Sequence, residues 1–181
     1  MPCERPITAW LTGLSGAGKS TLASAAVRTL VSRGHRAVCL DGDVLREGLN
    51  ANLGFGPEGR AEAVRRAGEA AVLLAGAGVI PVVALISPYA ADRDRVRARH
   101  AAQRVGFLEV FVDAPVSVLE RRDPKGLYAR ARAGQLSGFT GIDDPYEPPV
   151  RPDLHLRTDA SGEEDCLNRL LDAILRAARG E

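Results

Sequence analysis

The sequence predicts an α/β fold in which helices cover both faces of a mainly parallel sheet of about five strands. Short apolar runs alternate with helical segments along its 181 residues, which is typical of βαβ units. The runs are continuously apolar rather than alternating, as expected of strands that are covered on both faces. A single domain, residues 1–181, accounts for this length.

The elements follow one another in a regular order. A strand at 7–11 (ITAWL) precedes a glycine-rich turn and an alanine-rich helix at 19–32 that ends before Gly34. Apolar residues at helical spacing predict a helix at 60–75. A further helix at 92–104 is so charged that its Arg and Asp side chains are expected to face solvent. The other predicted strands span 37–40, 79–86, 108–112 and 154–156, and the other predicted helices span 115–122 and 163–179.

Residues 123–152 lack periodicity and are rich in Gly, Pro and Asp. A loop-like stretch of this length inside a compact domain is unusual, and it is most often a functional lid or a disordered segment. The aromatic residues Tyr128, Phe139 and Tyr146 favour a lid. A lid of this kind excludes water from a reaction.

Composition excludes several function classes. The 24 Lys and Arg residues nearly balance the 23 Asp and Glu residues, which argues against a dedicated nucleic-acid binder. The apolar stretch at 70–86 is short for a membrane span and is interrupted by Gly and Pro, and residues 1–7 lack the apolar core of a signal peptide. Three scattered cysteines suit a reducing cytoplasm rather than a disulfide framework or a zinc site. They are Cys3, Cys39 and Cys166.

The segment GLSGAGKS, from Gly13 to Ser20, matches the GxxxxGK[ST] motif at every fixed position, between a predicted strand and a predicted helix. Backbone N–H groups in such a loop turn toward phosphate oxygens, and the helix N-terminus adds partial positive charge. Lys19 can reach the β- and γ-phosphates of ATP, and the Ser20 hydroxyl can ligate Mg²⁺. The fold is therefore predicted to be a P-loop NTPase three-layer sandwich. The residues expected to bind ATP are Gly13, Ser15, Gly16, Ala17, Gly18, Lys19, Ser20 and Thr21.

A kinase is favoured over a GTPase or a motor, because the base-reading NKxD segment of GTPases is absent and a lid suits transfer to a small acceptor. Asp41 and Asp43 follow the predicted strand at 37–40, and ligand-facing groups lie beyond the carboxyl ends of parallel strands. One carboxylate can hold the water shell of Mg²⁺, and the other can orient or deprotonate an attacking hydroxyl. The alternative is a turn with an N-cap aspartate, and the two roles are compatible.

Five blocks occur in a characteristic order between residues 8 and 149: TAWLTGLSGAGKSTLA, LDGDVLREGLNANLGF, RAEAVRR, ISPY and DPKGLYARARAGQLSGFTGIDDPYEPP. In this order they resemble adenylylsulfate (APS) kinases. These enzymes phosphorylate the 3′-hydroxyl of adenosine 5′-phosphosulfate with MgATP to give PAPS. The resemblance also implies a homodimer.

The resemblance implies a catalytic set made of Lys19, Asp43, Ser87 and Lys125. Asp43 would lie near the acceptor hydroxyl and, with Ser20, near Mg²⁺, while Lys125 would approach the phosphates from the lid and stabilise charge on the transferring group. Ser87 has been assigned as a phosphoserine in this family. Direct in-line transfer needs no covalent step, so the role of Ser87 stays open.

The resemblance also implies an acceptor pocket. Two arginines would hold the phosphosulfate anion because guanidinium groups bind oxyanions bidentately. Two phenylalanines would sandwich the acceptor adenine between flat faces. The implied substrate-binding residues are Asp41, Asp43, Arg46, Asn50, Phe55, Arg60, Ile86, Ser87, Lys125, Leu127 and Phe139.

The sequence departs from the family pattern at Glu47, where a His is usual, at Gly59, where an Asp usually precedes the arginine, and at two lost asparagines. Val44 and Ala63 stand where the usual DGDN and ENIRR motifs have asparagines. Each lost hydrogen bond typically costs about 0.5–1.5 kcal/mol. A weaker APS kinase and a related kinase acting on a different nucleotide or small alcohol are both compatible with these changes. A third alternative is a weakened nucleotide-binding module that regulates a sulfate-activating partner, against which the intact Lys19, Ser20 and Lys125 argue.

Overall fold

In the computed structural model, five strands form one sheet in which every neighbouring pair is parallel, in the order β2-β3-β1-β4-β5. The structure describes residues 5–181, so Cys3 lies outside the described residues. The strands are β1 Ile7–Thr12, β2 Ala37–Asp41, β3 Ile80–Ala84, β4 Gly106–Asp113 and β5 Leu154–Arg157. The helices are α1 Lys19–Ser32, α2 Gly42–Glu47, α3 Pro57–Gly76, α4 Ala90–Ala102, α5 Val116–Arg122, α6 Leu127–Arg132 and α7 Glu163–Arg179.

Helices cover both faces of the sheet, as predicted. Alternate residues of β1 point to opposite faces. Leu11 packs in a core with Leu30 of α1 and Ile174 of α7, whereas Trp10 packs in a second core with Val64 of α3 and with α4. The central strands β1 and β3 are buried at every position because helices cover both of their faces.

The predicted element order is confirmed, with two short helices added. Helix α2 begins directly after β2, where Asp41 caps it, and α6 lies inside the segment predicted to be loop-like. Each has only six residues, less than the two turns over which an apolar period becomes visible. None of the helices in the described residues is both long and apolar enough to cross a membrane.

One prediction about α4 is wrong for two residues, although Asp94 and Arg95 are exposed as expected. Its charged side chains were expected to face solvent, but Arg93 and Asp92 are buried. The Arg93 guanidinium forms an ion pair with Glu109 on the neighbouring strand β4. A charged residue on a predicted helix can be buried when another element supplies its counter-charge, and the sequence pattern of α4 alone does not reveal that partner.

Candidate active site

The phosphate-binding loop connects β1 to α1 at the carboxyl edge of the sheet. A Cβ atom at Gly13 would lie 2.1 Å from the Val112 carbonyl oxygen, so only glycine fits against β4 there. Gly18 adopts a φ of 103° immediately before α1, a conformation that disfavours other residues. The first N–H groups of α1 have no partner within the helix and are available to an anion. The predicted ATP-binding residues form this one continuous segment, with Ser20 and Thr21 exposed in the first turn of α1.

The side chain of Lys19 is buried beneath the loop, and its Nζ donates a hydrogen bond of 2.8 Å to the Leu14 carbonyl. Burial lowers the pKa of Lys19 to about 8, against the opposing effect of Asp41, and the charge of Lys125 lowers it further. Part of the lysine population is therefore neutral near neutral pH, and an incoming polyanion would restore its charge.

Two carboxylates from the end of β2 and the start of α2 lie beside the loop. The Ser20 hydroxyl donates to Asp41 Oδ2, and Asp41 Oδ1 accepts a 2.9 Å hydrogen bond from the Asp43 backbone N–H. Asp41 thus caps α2 and contacts Ser20 with its other oxygen. The predicted metal pair was Ser20 with Asp43. The structure brings the Ser20 hydroxyl to Asp41, whereas Asp43 Oδ2 pairs with Lys125.

Asp43 forms an ion pair with Lys125 across the gap between α2 and the lid (residues 123–152). Both side chains are more than half exposed, and an exposed pair of this kind contributes little to stability. Lys125 can therefore exchange partners at low cost. With Lys19 and Asp41, these two residues form a cluster of alternating charge at the loop.

On the acceptor side, Arg46 of α2 holds the loop that follows it. Its Nη1 donates to the carbonyls of Leu53 and Gly54, at 2.8 and 3.1 Å. The guanidinium also lies 4.2 Å from the centre of the Phe55 ring. The Phe55 residue is 70% exposed, so its other face is open to solvent.

Arg60 has a different set of contacts from the one predicted. Its Nε donates to the Phe55 carbonyl at 2.7 Å, and its terminal nitrogens donate to the Gly138 carbonyl and the Thr140 hydroxyl. Asp144 lies 3.5 Å from Nε. The guanidinium that was predicted to bind an anion therefore ties α3 to the lid on both sides of Phe139, and only part of its donor capacity remains for a ligand.

The two predicted stacking residues are in unlike environments. Phe139 is buried, and its ring meets that of Tyr128 edge to face at 4.9 Å. Arg60 bonds to the backbone of Phe55 and to both neighbours of Phe139, which places the two phenylalanine segments on either side of one guanidinium. The exposed face of Phe55 is the more accessible of the two surfaces.

Asn50 is 1% exposed, and within the described residues neither polar atom of its amide has a hydrogen-bond partner. A buried amide without partners is costly, which makes Asn50 a candidate for contact with a ligand. Leu127 begins α6 and packs partly against the main core, and Ile86 is half-buried with its carbonyl accepting from the Thr12 hydroxyl at 2.7 Å.

Ser87 is buried behind the end of β3. Its Oγ accepts a 3.1 Å hydrogen bond from the Trp10 indole N–H, and its backbone φ is +40°. A hydroxyl in this position is occupied and shielded. The geometry therefore does not favour the phosphoserine role, which needs an exposed nucleophile, and the predicted contact of Ser87 with the substrate stays a prediction.

Comparison with known proteins agrees with this arrangement. The family model described as adenylylsulphate kinase matches residues 5–157. A probable adenylyl-sulfate kinase of Synechocystis is 50% identical over 168 residues, covering 92% of each chain. The structure of the Mycobacterium tuberculosis APS kinase CysC in complex with AMPPNP and APS superposes with a TM-score of 0.90 at 49% identity, covering 94% of this chain and 98% of that one. A hexameric APS kinase from Thiobacillus denitrificans covers 98% of this chain and 30% of its own, with a TM-score of 0.74 at 32% identity.

The chain belongs to the adenylylsulphate kinase family.

The structure of this adenylylsulphate kinase adds contacts that sequence reasoning missed. The Tyr128 hydroxyl donates to the Ser15 carbonyl at 2.9 Å, which fastens α6 to the phosphate-binding loop. Thr158 donates to the Ala17 carbonyl at 2.9 Å, and Arg122 donates to Thr158. Thr158 directly follows β5 in the chain. The available signal was a polar residue close to the end of the predicted strand at 154–156.

The structure also shows where the two residues that replace family asparagines, Val44 and Ala63, lie in this kinase. Val44 lies exposed on α2, beside Asp43, whereas Ala63 is buried in α3, one turn before Arg66. Arg66 donates to the Leu49 carbonyl at 2.7 Å and to the Asn52 side chain at 2.8 Å. These contacts hold the segment that carries Asn50 against α3.

Proposed function

We propose that this chain transfers the γ-phosphoryl group of ATP to the 3′-hydroxyl of adenosine 5′-phosphosulfate, giving PAPS and ADP. The observation that carries the proposal is the charged cluster at the end of β2, where Asp43 meets Lys125 of the lid beside the phosphate-binding loop. Family membership gives the acceptor its identity, since the structure of the M. tuberculosis relative is a complex with APS.

On the donor side, the loop N–H groups and Lys19 would hold the phosphates of ATP. Magnesium would be held by the Ser20 hydroxyl and an Asp41 oxygen, because hydroxyl and carboxylate oxygens are the ligands that Mg²⁺ prefers and these two already meet. When bound, the ion neutralises charge on the phosphates. Asp41 thus takes the metal role that was predicted for Asp43.

On the acceptor side, Asp43 would accept the proton of the attacking 3′-hydroxyl. The oxygen of that hydroxyl forms the new bond to the γ-phosphorus, the bond from phosphorus to the β-bridging oxygen breaks, and ADP leaves with the electron pair. Lys125 would leave Asp43 for the transferring oxygens and stabilise their charge. Transfer is direct, with no phosphorylated serine.

Arg46 and the free donors of Arg60 would hold the phosphosulfate anion, and Phe55 would stack on its adenine. Phe139, Ile86 and Leu127 would form the apolar wall behind the base. The buried Asn50 amide would gain partners from the same ligand. We further propose that the chain works as a homodimer in the cytoplasm, although the Thiobacillus denitrificans relative is hexameric.

An ADP-release assay with MgATP tests the proposal. The chain is assayed with adenosine 5′-phosphosulfate, with adenosine 5′-monophosphate, with other nucleotides and without acceptor, and the product is identified by mass. We expect ADP release that depends on adenosine 5′-phosphosulfate, with PAPS as product. ADP release with another acceptor but not with adenosine 5′-phosphosulfate would contradict the proposed substrate. No ADP release with any acceptor would contradict the proposed kinase activity. Sedimentation of the same preparation measures the oligomeric state.

A further inference from the structure

Two segments that are far apart in the sequence are joined at the acceptor side. They are the β3 turn (residues 86–88) and the lid tail (residues 144–148). The Glu147 backbone N–H donates to the Pro88 carbonyl at 2.8 Å, and a Glu147 side-chain oxygen accepts from the Ala90 N–H at 2.7 Å. The end of the lid is therefore attached to the turn that carries Ile86 and Ser87.

Arg93 of α4 lies beneath this junction and bonds to both sides of it. Its Nη1 donates to the Ser87 carbonyl at 2.8 Å, its Nη2 donates to the Glu147 carbonyl at 2.7 Å, and its Nε donates to Glu109 at 2.9 Å. The residue is 2% exposed. A planar guanidinium can direct donors to three such acceptors at once, which a lysine ammonium cannot do in this geometry.

The β3 turn needs such support because Ser87 has a φ of +40°. A residue other than glycine keeps a left-handed conformation only when surrounding contacts enforce it. Here the Trp10 indole holds the Ser87 hydroxyl and Arg93 holds its carbonyl. Removing the Arg93 contact leaves the backbone free to relax.

A second link runs in parallel to the first. The Thr12 hydroxyl donates its one proton to the Ile86 carbonyl at 2.7 Å. The Tyr146 hydroxyl lies 3.1 Å from the Thr12 hydroxyl and is therefore the donor in that second hydrogen bond. Thr12 is the last residue of β1 and directly precedes the phosphate-binding loop. The lid tail is thus tied to the β3 turn through both Arg93 and Thr12.

We propose that Arg93 is a positioning residue for the acceptor, which acts by holding the β3 turn and the lid tail as one unit. Its side-chain hydrogen bonds are to protein groups, and it is buried away from the surface. It sets the place of the Ile86 and Ser87 backbone and of the lid end that closes over the acceptor. This inference rests on the proposed function, because it takes these residues as one wall of the pocket for adenosine 5′-phosphosulfate.

The test compares Arg93→Lys with Arg97→Gln. Arg97 lies one turn along α4 and pairs with the same Glu109, at 3.0 Å, but within the described residues it has no hydrogen bond to the β3 turn or the lid tail.

In Arg93→Lys the charge beside Glu109 is retained, and the bonds to two carbonyls are lost or weakened. We expect the KM for adenosine 5′-phosphosulfate to rise about tenfold, as for the loss of one to two hydrogen bonds from a charged donor. The KM for ATP should change less than about twofold, and Arg97→Gln should change neither by more than that.

A second readout does not depend on activity. The Glu147 N–H, bonded to Pro88, should exchange with solvent deuterium at least tenfold faster in Arg93→Lys than in Arg97→Gln. If Arg93→Lys fails to fold, Tyr146→Phe removes only one hydroxyl from the parallel link, and it should also raise the acceptor KM without raising the KM for ATP.

Three results overturn the inference: an acceptor KM within twofold of wild type in folded Arg93→Lys, an equal rise in both KM values, or unchanged exchange at Glu147. Where Arg93→Lys does not fold, an acceptor KM left unchanged by Tyr146→Phe overturns it as well. Failure of the proposed function has a different signature, namely a wild-type enzyme with no ADP release that depends on adenosine 5′-phosphosulfate.

Discussion

Replacing Phe55 by alanine should weaken binding of the acceptor while leaving the fold almost unchanged. The ring is 70% exposed, and its recorded ring contact is with the Arg46 guanidinium at 4.2 Å. Most exposed apolar side chains contribute nothing specific. Phe55, by contrast, is contacted by two arginines, Arg46 at its ring and Arg60 at its carbonyl, and its open face is placed to meet a planar ligand.

The magnitudes of the two effects differ enough to be separated. An exposed cation–π contact is worth about 0.5–1 kcal/mol, so the melting temperature should fall by no more than about 2–4 °C for a chain of this size. Stacking of a base on an aromatic ring is worth about 1–3 kcal/mol. The KM for adenosine 5′-phosphosulfate should therefore rise roughly 5- to 150-fold, with the KM for ATP unchanged.

The assay combines steady-state ADP release at varied acceptor concentration with thermal unfolding of the same sample. Leu73→Ala is the matched control, because Leu73 is an equally exposed apolar residue near the far end of α3, and we expect it to alter neither quantity. An unchanged acceptor KM in Phe55→Ala would remove this ring from the pocket. A large fall in melting temperature would show that the ring is structural, as we expect for the buried Phe139, where truncation should cost about 3–5 kcal/mol.

Three further predictions concern the donor loop and the acceptor wall. Because the pKa of Lys19 is about 8, ATP binding at pH 8 should raise that pKa and take up about half a proton. Calorimetry in buffers of different ionisation enthalpy measures the uptake, and Lys19→Met should abolish both the uptake and turnover. Zero proton uptake by the wild type would refute the lowered pKa of Lys19. Ser87→Ala should lower kcat by less than about tenfold, because the substitution removes a hydrogen bond from Trp10 rather than a nucleophile. Transfer of ³²P from γ-³²P-ATP to Ser87 of the wild type would contradict this prediction. Ala63→Asn should lower the KM for adenosine 5′-phosphosulfate roughly three- to tenfold by returning to α3 the amide that the family motif has there. A higher KM would indicate a pocket shaped for another acceptor.

Much of the architecture could be predicted because its signals are local. The glycines of the phosphate-binding loop, the apolar runs of β1 and β3 and the period of α7 each report the environment of consecutive residues. Turn geometry, strand propensity and helical period are properties of those residues themselves. Lys19, Ser20 and Asp41 were identified as site residues for the same reason, since the edge of a parallel sheet gathers the residues that follow its strands.

Side-chain pairing could not be predicted in this way. The pattern of α4 indicates an exposed charged helix, yet Arg93 is buried because Glu109, Ser87 and Glu147 supply acceptors from three other segments. Likewise, nothing near Arg60 in the sequence reveals that its guanidinium donates to Thr140 and to the Gly138 carbonyl, about 80 residues later in the chain. Its predicted contact with an anion stays a prediction.

The sequence by itself therefore determined the fold and the donor loop, because propensity and motif spacing act between near neighbours in the chain. The residues of the acceptor pocket are implied by the family resemblance and stay a prediction. The tertiary structure alone decided which carboxylate meets Ser20, which phenylalanine stays exposed and which arginine holds the lid. Those outcomes depend on short-range hydrogen bonds between segments that only folding brings together. The partner of each side chain is set by where the backbone of a distant segment lies, and no local sequence pattern encodes that position.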